Sequence, residues 1–143
     1  MTMPSQVVLE REFASDLREI QPLAHAVAQA LSPHPQLVYG VNLCLDEIIT
    51  NTIMHGHDGT TNGHIRVRIE LSDRCIDIEV RDDAPAYNPL TEAPVPDLQA
   101  KLHERPIGGL GVHLVKRIMS EVTYARENGW NVMRMRKHTT RST

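Results

Sequence analysis

From Ile65 to Asp82 the chain reads IRVRIELSDRCIDIEVRD, two runs in which branched apolar residues alternate with charged ones across the short turn Ser72-Asp73-Arg74. Successive side chains of a strand point to opposite faces, so each run has one apolar and one charged face. Paired as a hairpin, the two runs form a surface with one wet side and one side that has to be covered by other parts of the chain.

The flanking segments supply the cover. QVVLEREF, with partial alternation, reads as a first strand with Val7, Leu9 and Phe13 facing inward. Ser15 or Asp16 can cap a helix, with Glu19 completing a capping box with Asp16, and Leu17, Ile20, Ala24, Val27 and Leu31 form its apolar stripe. A second helix begins near Leu37, places Val38, Val41, Leu45, Ile48 and Thr52 on its core face, and stops where Gly56 and Gly59 appear. GVHLVKRIMSEV supports a third helix, with Val112, Val115 and Ile118 as core positions. The last segment, VTYARENGWNVMRMRK, is a hairpin turning over Glu127-Asn128-Gly129. Ala84 to Gly111 is rich in Pro and Gly, with only a brief helical stretch around Asp97 to His103, and reads as a long loop. This order predicts an α+β fold: a two-layer sandwich with a mixed, mostly antiparallel sheet and helices on one face.

With 143 residues, 41% of them hydrophobic, the chain suits a single domain spanning residues 1–143. A net charge of -3 offers no overall electrostatic case for nucleic acid or for an anionic membrane. Cys44 and Cys75 lie in apolar helical and strand-like runs and read as reduced core thiols. No segment approaches the ~20 apolar residues that span a bilayer, and the N-terminus lacks a basic region followed by an apolar one. These features predict a cytoplasmic protein.

Three segments carry candidate chemistry. In LCLDEIITNTIMHGHDG, Glu47, Asn51 and His55 recur in steps of four, which places a carboxylate, an amide and an imidazole in one stripe to the side of the core face. A solvated helix flank has the same pattern, so the other segments decide. In VRDDAPAYNP, Asp82 ends a strand at the mouth of the sheet, where a carboxylate can accept a hydrogen bond from an amino group; alone, Asp82 and Asp83 read equally as turn residues. In PIGGLGVHLV, Gly108, Gly109 and Gly111 precede a helix whose free N–H groups can face a phosphate, although the spacing is neither that of a P-loop nor that of a dinucleotide fingerprint. His55, His57 and His64, with Cys44, match no familiar metal-ligand spacing.

In this order and on these elements the three segments resemble the asparagine box and the two glycine boxes of the GHKL ATPase superfamily, which includes gyrase, histidine kinases and MutL. LDEIITNTIMHG, VRDDAPAYNPL and GGLGVHLVKRIMSEVTYAR are most similar to the anti-sigma-factor serine kinases, the RsbW-like branch, and the likeness covers nearly the whole chain. The resemblance implies a Bergerat ATP-binding fold with ATP and Mg²⁺ as cofactors. It implies that Asn51 holds the metal, Glu47 is the general base, Asp82 binds the adenine amino group, and Gly108, Gly109, Leu110 and Gly111 wrap the phosphates. His55 either contacts the nucleotide or closes the helix. Leu90 to Ile107 becomes a lid whose cations, Lys101 and Arg105, can face phosphate. One departure is visible: Ala84 and Ala86 stand where the first glycine box has Gly, next to the adenine position.

As an activity, the resemblance implies a serine/threonine kinase that phosphorylates a STAS-type anti-sigma-factor antagonist, sequesters a sigma factor, and forms a homodimer. Two alternatives stay open: a kinase acting in a partner switch without a sigma factor, and a nucleotide-gated binding module without phosphotransfer.

Overall fold

A computed structural model describes residues 4–57, 62–92 and 109–139. Its elements in chain order are β1 (Gln6–Ala14), α1 (Ile20–Ala30), α2 (Val38–Asn51), β2 (His64–Leu71), β3 (Cys75–Asp82), the single turn α3 (Pro89–Glu92), α4 (Gly109–Ile118), β4 (Glu121–Glu127) and β5 (Trp130–His138). The five strands form one sheet in the order β1-β2-β3-β5-β4. Expected to be mixed and mostly antiparallel, the sheet is antiparallel at every pairing.

The alternation sorts as the hairpin pattern requires. Ile65, Val67 and Ile69 of β2 and Ile76, Ile78 and Val80 of β3 are buried against the helices, joined from β5 by Met133 and Met135. The helices contribute Leu23, Val27, Val41, Leu45, Ile48, Ile49 and Val115 to the same core. The opposite face of the sheet carries charges in cross-strand pairs, among them Arg134 Nε to Glu79 at 3.1 Å and Arg136 Nε to Asp77 at 2.7 Å. Such exposed pairs contribute about 0–1 kcal/mol each, so this face is kept wet rather than bound tightly together.

Two expected core positions are exposed. Val7 is 40% exposed because the β1–β2 register shifts between Val7 and Leu9, which moves Val7 to the outer side and turns Val8 toward the core. Leu17 is 49% exposed because it sits in a 3₁₀ turn before α1, out of phase with the α-helical stripe; Leu23 takes the inner position. Asp16 caps that turn by accepting from the Arg18 backbone N–H at 2.9 Å, and the Glu19 side chain makes no capping bond, so the expected capping box does not form. The last hairpin turns as predicted, with Asn128 (φ 49) and Gly129 (φ 84) both in the left-handed region that Asn and Gly tolerate best. Among the described residues no helix is long and apolar enough to cross a membrane.

Candidate nucleotide site at the end of helix α2

Helix α2 packs against α4 and delivers Glu47 to its first turn. A methyl group built on Gly111 would overlap the Glu47 carboxyl group, so glycine at this position lets Glu47 keep its present rotamer against α4. Burial pushes the Glu47 carboxyl above the usual carboxylate range, and the adjacent Asp46 charge adds to the shift. One turn later, Asn51 is 4% exposed and its Nδ2 has no hydrogen-bond partner among the described residues. A buried donor left unpaired costs about 1–3 kcal/mol, and Asn51 Nδ2 and Asn42 Oδ1 are the two buried side-chain polar atoms in this position among the described residues.

The predicted stripe breaks after Asn51. Thr52–Gly56 form a π turn in which the His57 N–H donates to the Thr52 carbonyl five residues back at 2.9 Å. The wider turn swings His55 outward, where it is exposed and stacks on Tyr87 with ring centroids 6.4 Å apart. Thr52, the last of the expected core-face positions, faces inward to the sheet.

Asp82 is 5% exposed at the end of β3. Its Oδ2 accepts from Thr52 Oγ1 at 3.3 Å, and its Oδ1 accepts from the Ala84 N–H at 3.0 Å and from Asn131 Nδ2 at 2.8 Å. Asn131, 3% exposed, is absent from the sequence-based candidates. A signal for it existed: it shares the inward face of β5 with Met133 and Met135, an amide where the period-two pattern calls for an apolar residue.

Alanine fits both motif positions where glycine was expected. Ala84 is buried, and a methyl group built on Gly56 would lie 3.0 Å from its Cβ, so the space glycine would leave at position 84 is left at position 56 instead. Ala86 is exposed. The left-handed non-glycine residues among those described are limited to Asn128, so neither alanine is strained.

A second polar cluster pins the chain just past the π turn. His57 lies between Ser15 Oγ, 2.7 Å from Nδ1, and Asp83 Oδ1, 2.9 Å from Nε2. Asp83 also accepts from the His64 N–H at 2.8 Å and from His64 Nδ1 at 3.0 Å. Burial raises the Asp83 carboxyl, but the hydrogen bonds from His64 and His57 outweigh it and leave the group below its usual range. Among the described residues no three His, Cys, Asp or Glu side chains are placed to hold a metal ion.

Ile48, Asn51, Thr52, Gly56, Asp82, Tyr87, Pro89, Asn131 and Met133 enclose a cavity of about 10 Å³, room for about one water. Two larger hollows, of about 610 and 510 Å³, lie on the charged outer face of the sheet, where ion pairs satisfy the polar groups, and one of about 210 Å³ lies between α1 and α2. Chemistry rather than size distinguishes the small cavity: it holds the unpaired amide and the hydrogen-bonded acid at a strand end. Gly109, Leu110 and Gly111 open α4. Gly108, Lys101, Arg105, the helical stretch expected around Asp97 to His103 and most of the expected lid lie outside the described residues.

A sequence profile of the family described as "Histidine kinase-like ATPase domain" matches residues 12–137. The serine/threonine-protein kinase BtrW of Bordetella bronchiseptica is 30% identical over 106 residues, 72% of each chain. The anti-sigma F factor of Bacillus velezensis is 27% identical over 122 residues, covering 84% of this chain and 82% of that one. In structure, the chain resembles the histidine kinase domain of the Erythrobacter litoralis blue-light activated histidine kinase, with a TM-score of 0.53 and 15% identity. The likeness covers 85% of this chain and 59% of that one, and at this identity it speaks for the fold. The chain belongs to the histidine-kinase-like ATPase family, alongside these serine/threonine kinase and anti-sigma factor relatives.

Proposed function

We propose that this chain binds ATP at the end of α2 and acts as a serine/threonine kinase in a partner switch. The observation that carries this reading is the buried, unpaired amide of Asn51, set between the Glu47–Gly111 contact and the Asp82 carboxylate. The donor set fits a magnesium nucleotide: a neutral amide supplies an oxygen suited to a hard cation that keeps several waters, and its N–H₂ can pair with phosphate oxygen. Bound Mg²⁺ would offset the charge of the phosphates.

The residues of the chain divide the remaining work. Asp82 accepts a hydrogen bond from the exocyclic amino group of adenine. Gly109, Leu110 and Gly111, at the start of α4, turn backbone N–H groups toward phosphate. Glu47, whose burial makes it more basic than an ordinary carboxylate, accepts the proton of the attacking hydroxyl. Because the cavity is nearly closed, nucleotide entry requires the segment with Tyr87 and Pro89 to move outward. His55, stacked on Tyr87, moves with that opening rather than gripping phosphate.

The relatives named anti-sigma F factor and serine/threonine kinase suggest the partners. We place a STAS-type antagonist as substrate and a sigma factor as the sequestered protein, with the chain acting as a homodimer in the cytoplasm. The reading is tested by capturing partners on the full chain with and without ATP, then measuring transfer of labelled phosphate to the ATP-dependent partner. Transfer by wild type and none by Glu47→Gln supports it. ATP-dependent capture without transfer replaces it with a nucleotide-gated sequestering module.

A further inference from the structure

Asn131 sits at the centre of a polar network that joins β3, β4, β5 and the turn after β3. Its Oδ1 accepts from the Tyr87 N–H at 3.2 Å, from Arg126 Nη1 at 3.2 Å and from the Tyr124 hydroxyl. Its Nδ2 faces Asp82 Oδ1 at 2.8 Å, Pro85 O at 3.1 Å and Ala84 O at 3.3 Å. The neighbours set the orientation of the amide: a flip would set N–H groups against the Tyr87 N–H and Arg126 Nη1 donors and a carbonyl against three acceptors. Arg126 braces the same turn by donating to Ala84 O at 2.7 Å.

The network treats the two oxygens of Asp82 differently. Oδ1 is taken by two short bonds, from Asn131 and the Ala84 N–H, whereas Oδ2 receives one long bond from the Thr52 hydroxyl at 3.3 Å. A hydroxyl turns easily to another acceptor, while a backbone N–H and a braced amide do not. We propose that Asn131 is a positioning residue for base selectivity: it occupies Oδ1 and so presents Oδ2 as the acceptor for the amino group of adenine. This rests on the proposed ATP site and adds to it the atom that reads the base and the residue that aims it. Guanine presents a carbonyl where adenine has its amino group, so a carboxylate oxygen aimed at that point repels it. A carboxylate free to rotate about its last bond would discriminate less.

The test is the ratio of ATP to GTP affinity, measured by calorimetry with Mg²⁺ on the full chain, for wild type, Asn131→Ser and Tyr124→Phe. Asn131→Ser shortens the donor out of reach of Oδ1 and is expected to reduce the preference for ATP about tenfold or more, the scale of a hydrogen bond to a charged group. Tyr124→Phe removes one brace from the amide without touching Asp82, and a smaller drop in the same ratio is expected. It also guards against a folding defect, because a Tyr→Phe change at this partly buried position leaves the ring packing in place. If both variants weaken ATP and GTP by the same factor, or keep the wild-type ratio, Asn131 does not aim Asp82 and the proposal falls alone. A wild type that binds ATP and GTP equally overturns the assignment of Asp82 to the base and this proposal with it.

Discussion

Replacing Gly111 by Ala separates catalysis from folding in a way the structure makes calculable. The added methyl group would overlap the Glu47 side chain from its Cγ to its carboxyl oxygen, so Glu47 has to leave its present rotamer. Gly111 lies inside α4 and has no left-handed backbone, so alanine brings a helix-propensity gain of about 1 kcal/mol. Against this stands the displaced half-buried side chain, at about 0.5–1.5 kcal/mol for a strained rotamer. The two terms nearly cancel, and the melting temperature should move by no more than about 2–4 °C. Catalysis has no such compensation: a base displaced by about 1 Å loses on the order of 10²-fold in rate. Thermal unfolding followed by circular dichroism, run beside phosphate transfer from labelled ATP, measures both quantities. A folded Gly111→Ala protein that transfers phosphate at the wild-type rate would refute the assignment of Glu47 as the base in the position observed.

Asn51→Leu should abolish Mg²⁺-dependent ATP binding while leaving the free protein as stable as wild type or more stable by about 1 kcal/mol, because it removes a buried donor that has no partner; urea unfolding and calorimetry check the two halves. The Glu47 carboxyl is raised in the folded state, so its favourable contribution is complete below its ordinary value of 4.5 and is lost as pH rises through the higher folded value. Glu47→Gln should therefore melt above wild type at neutral pH and lose that advantage in acid, which a melting series across pH reads directly. Asp83 has the opposite sign: its contribution is present above 3.8 and is lost as pH falls through the depressed folded value. Asp83→Asn should flatten that acid loss, and an unchanged acid limb would mean that the His57 and His64 bonds do not form. Gly129→Ala should destabilise the last hairpin by about 1–2 kcal/mol, since φ 84 is costly for a residue with a Cβ; the urea midpoint reports it.

What could be read in the sequence was set by local pattern. Strict alternation in β2 and β3 fixes which side chains face inward whatever the rest of the chain does, and Asn128-Gly129 suits its turn by backbone preference alone. The spacing of Glu47 and Asn51 placed both at the edge of the helical layer. The misreadings come from local breaks in period: the bulge that exposes Val7 and the 3₁₀ turn that exposes Leu17, while the π turn leaves His55 at the exposed end of the helix. The long-range contacts could not be read from spacing at all. Gly111 against Glu47 and Asn131 against Asp82 join residues distant in the chain, and His57 finds Ser15 and Asp83 only after the sheet has formed. Even so, the buried amide on β5 interrupts an apolar face, which is the kind of local conflict that marks a functional position.

The central claim is that the cavity between α2 and the end of β3 is an adenine-nucleotide site. The most direct measurement is calorimetric titration of the full chain with ATP and Mg²⁺, for wild type and for Asp82→Asn, with circular dichroism to confirm that both are folded. Exchanging the carboxylate for an amide removes a hydrogen bond to a charged group, so saturable binding by wild type and a loss of about tenfold or more in Asp82→Asn is the predicted result. No binding by folded wild type, or equal affinity in the two proteins, would contradict it.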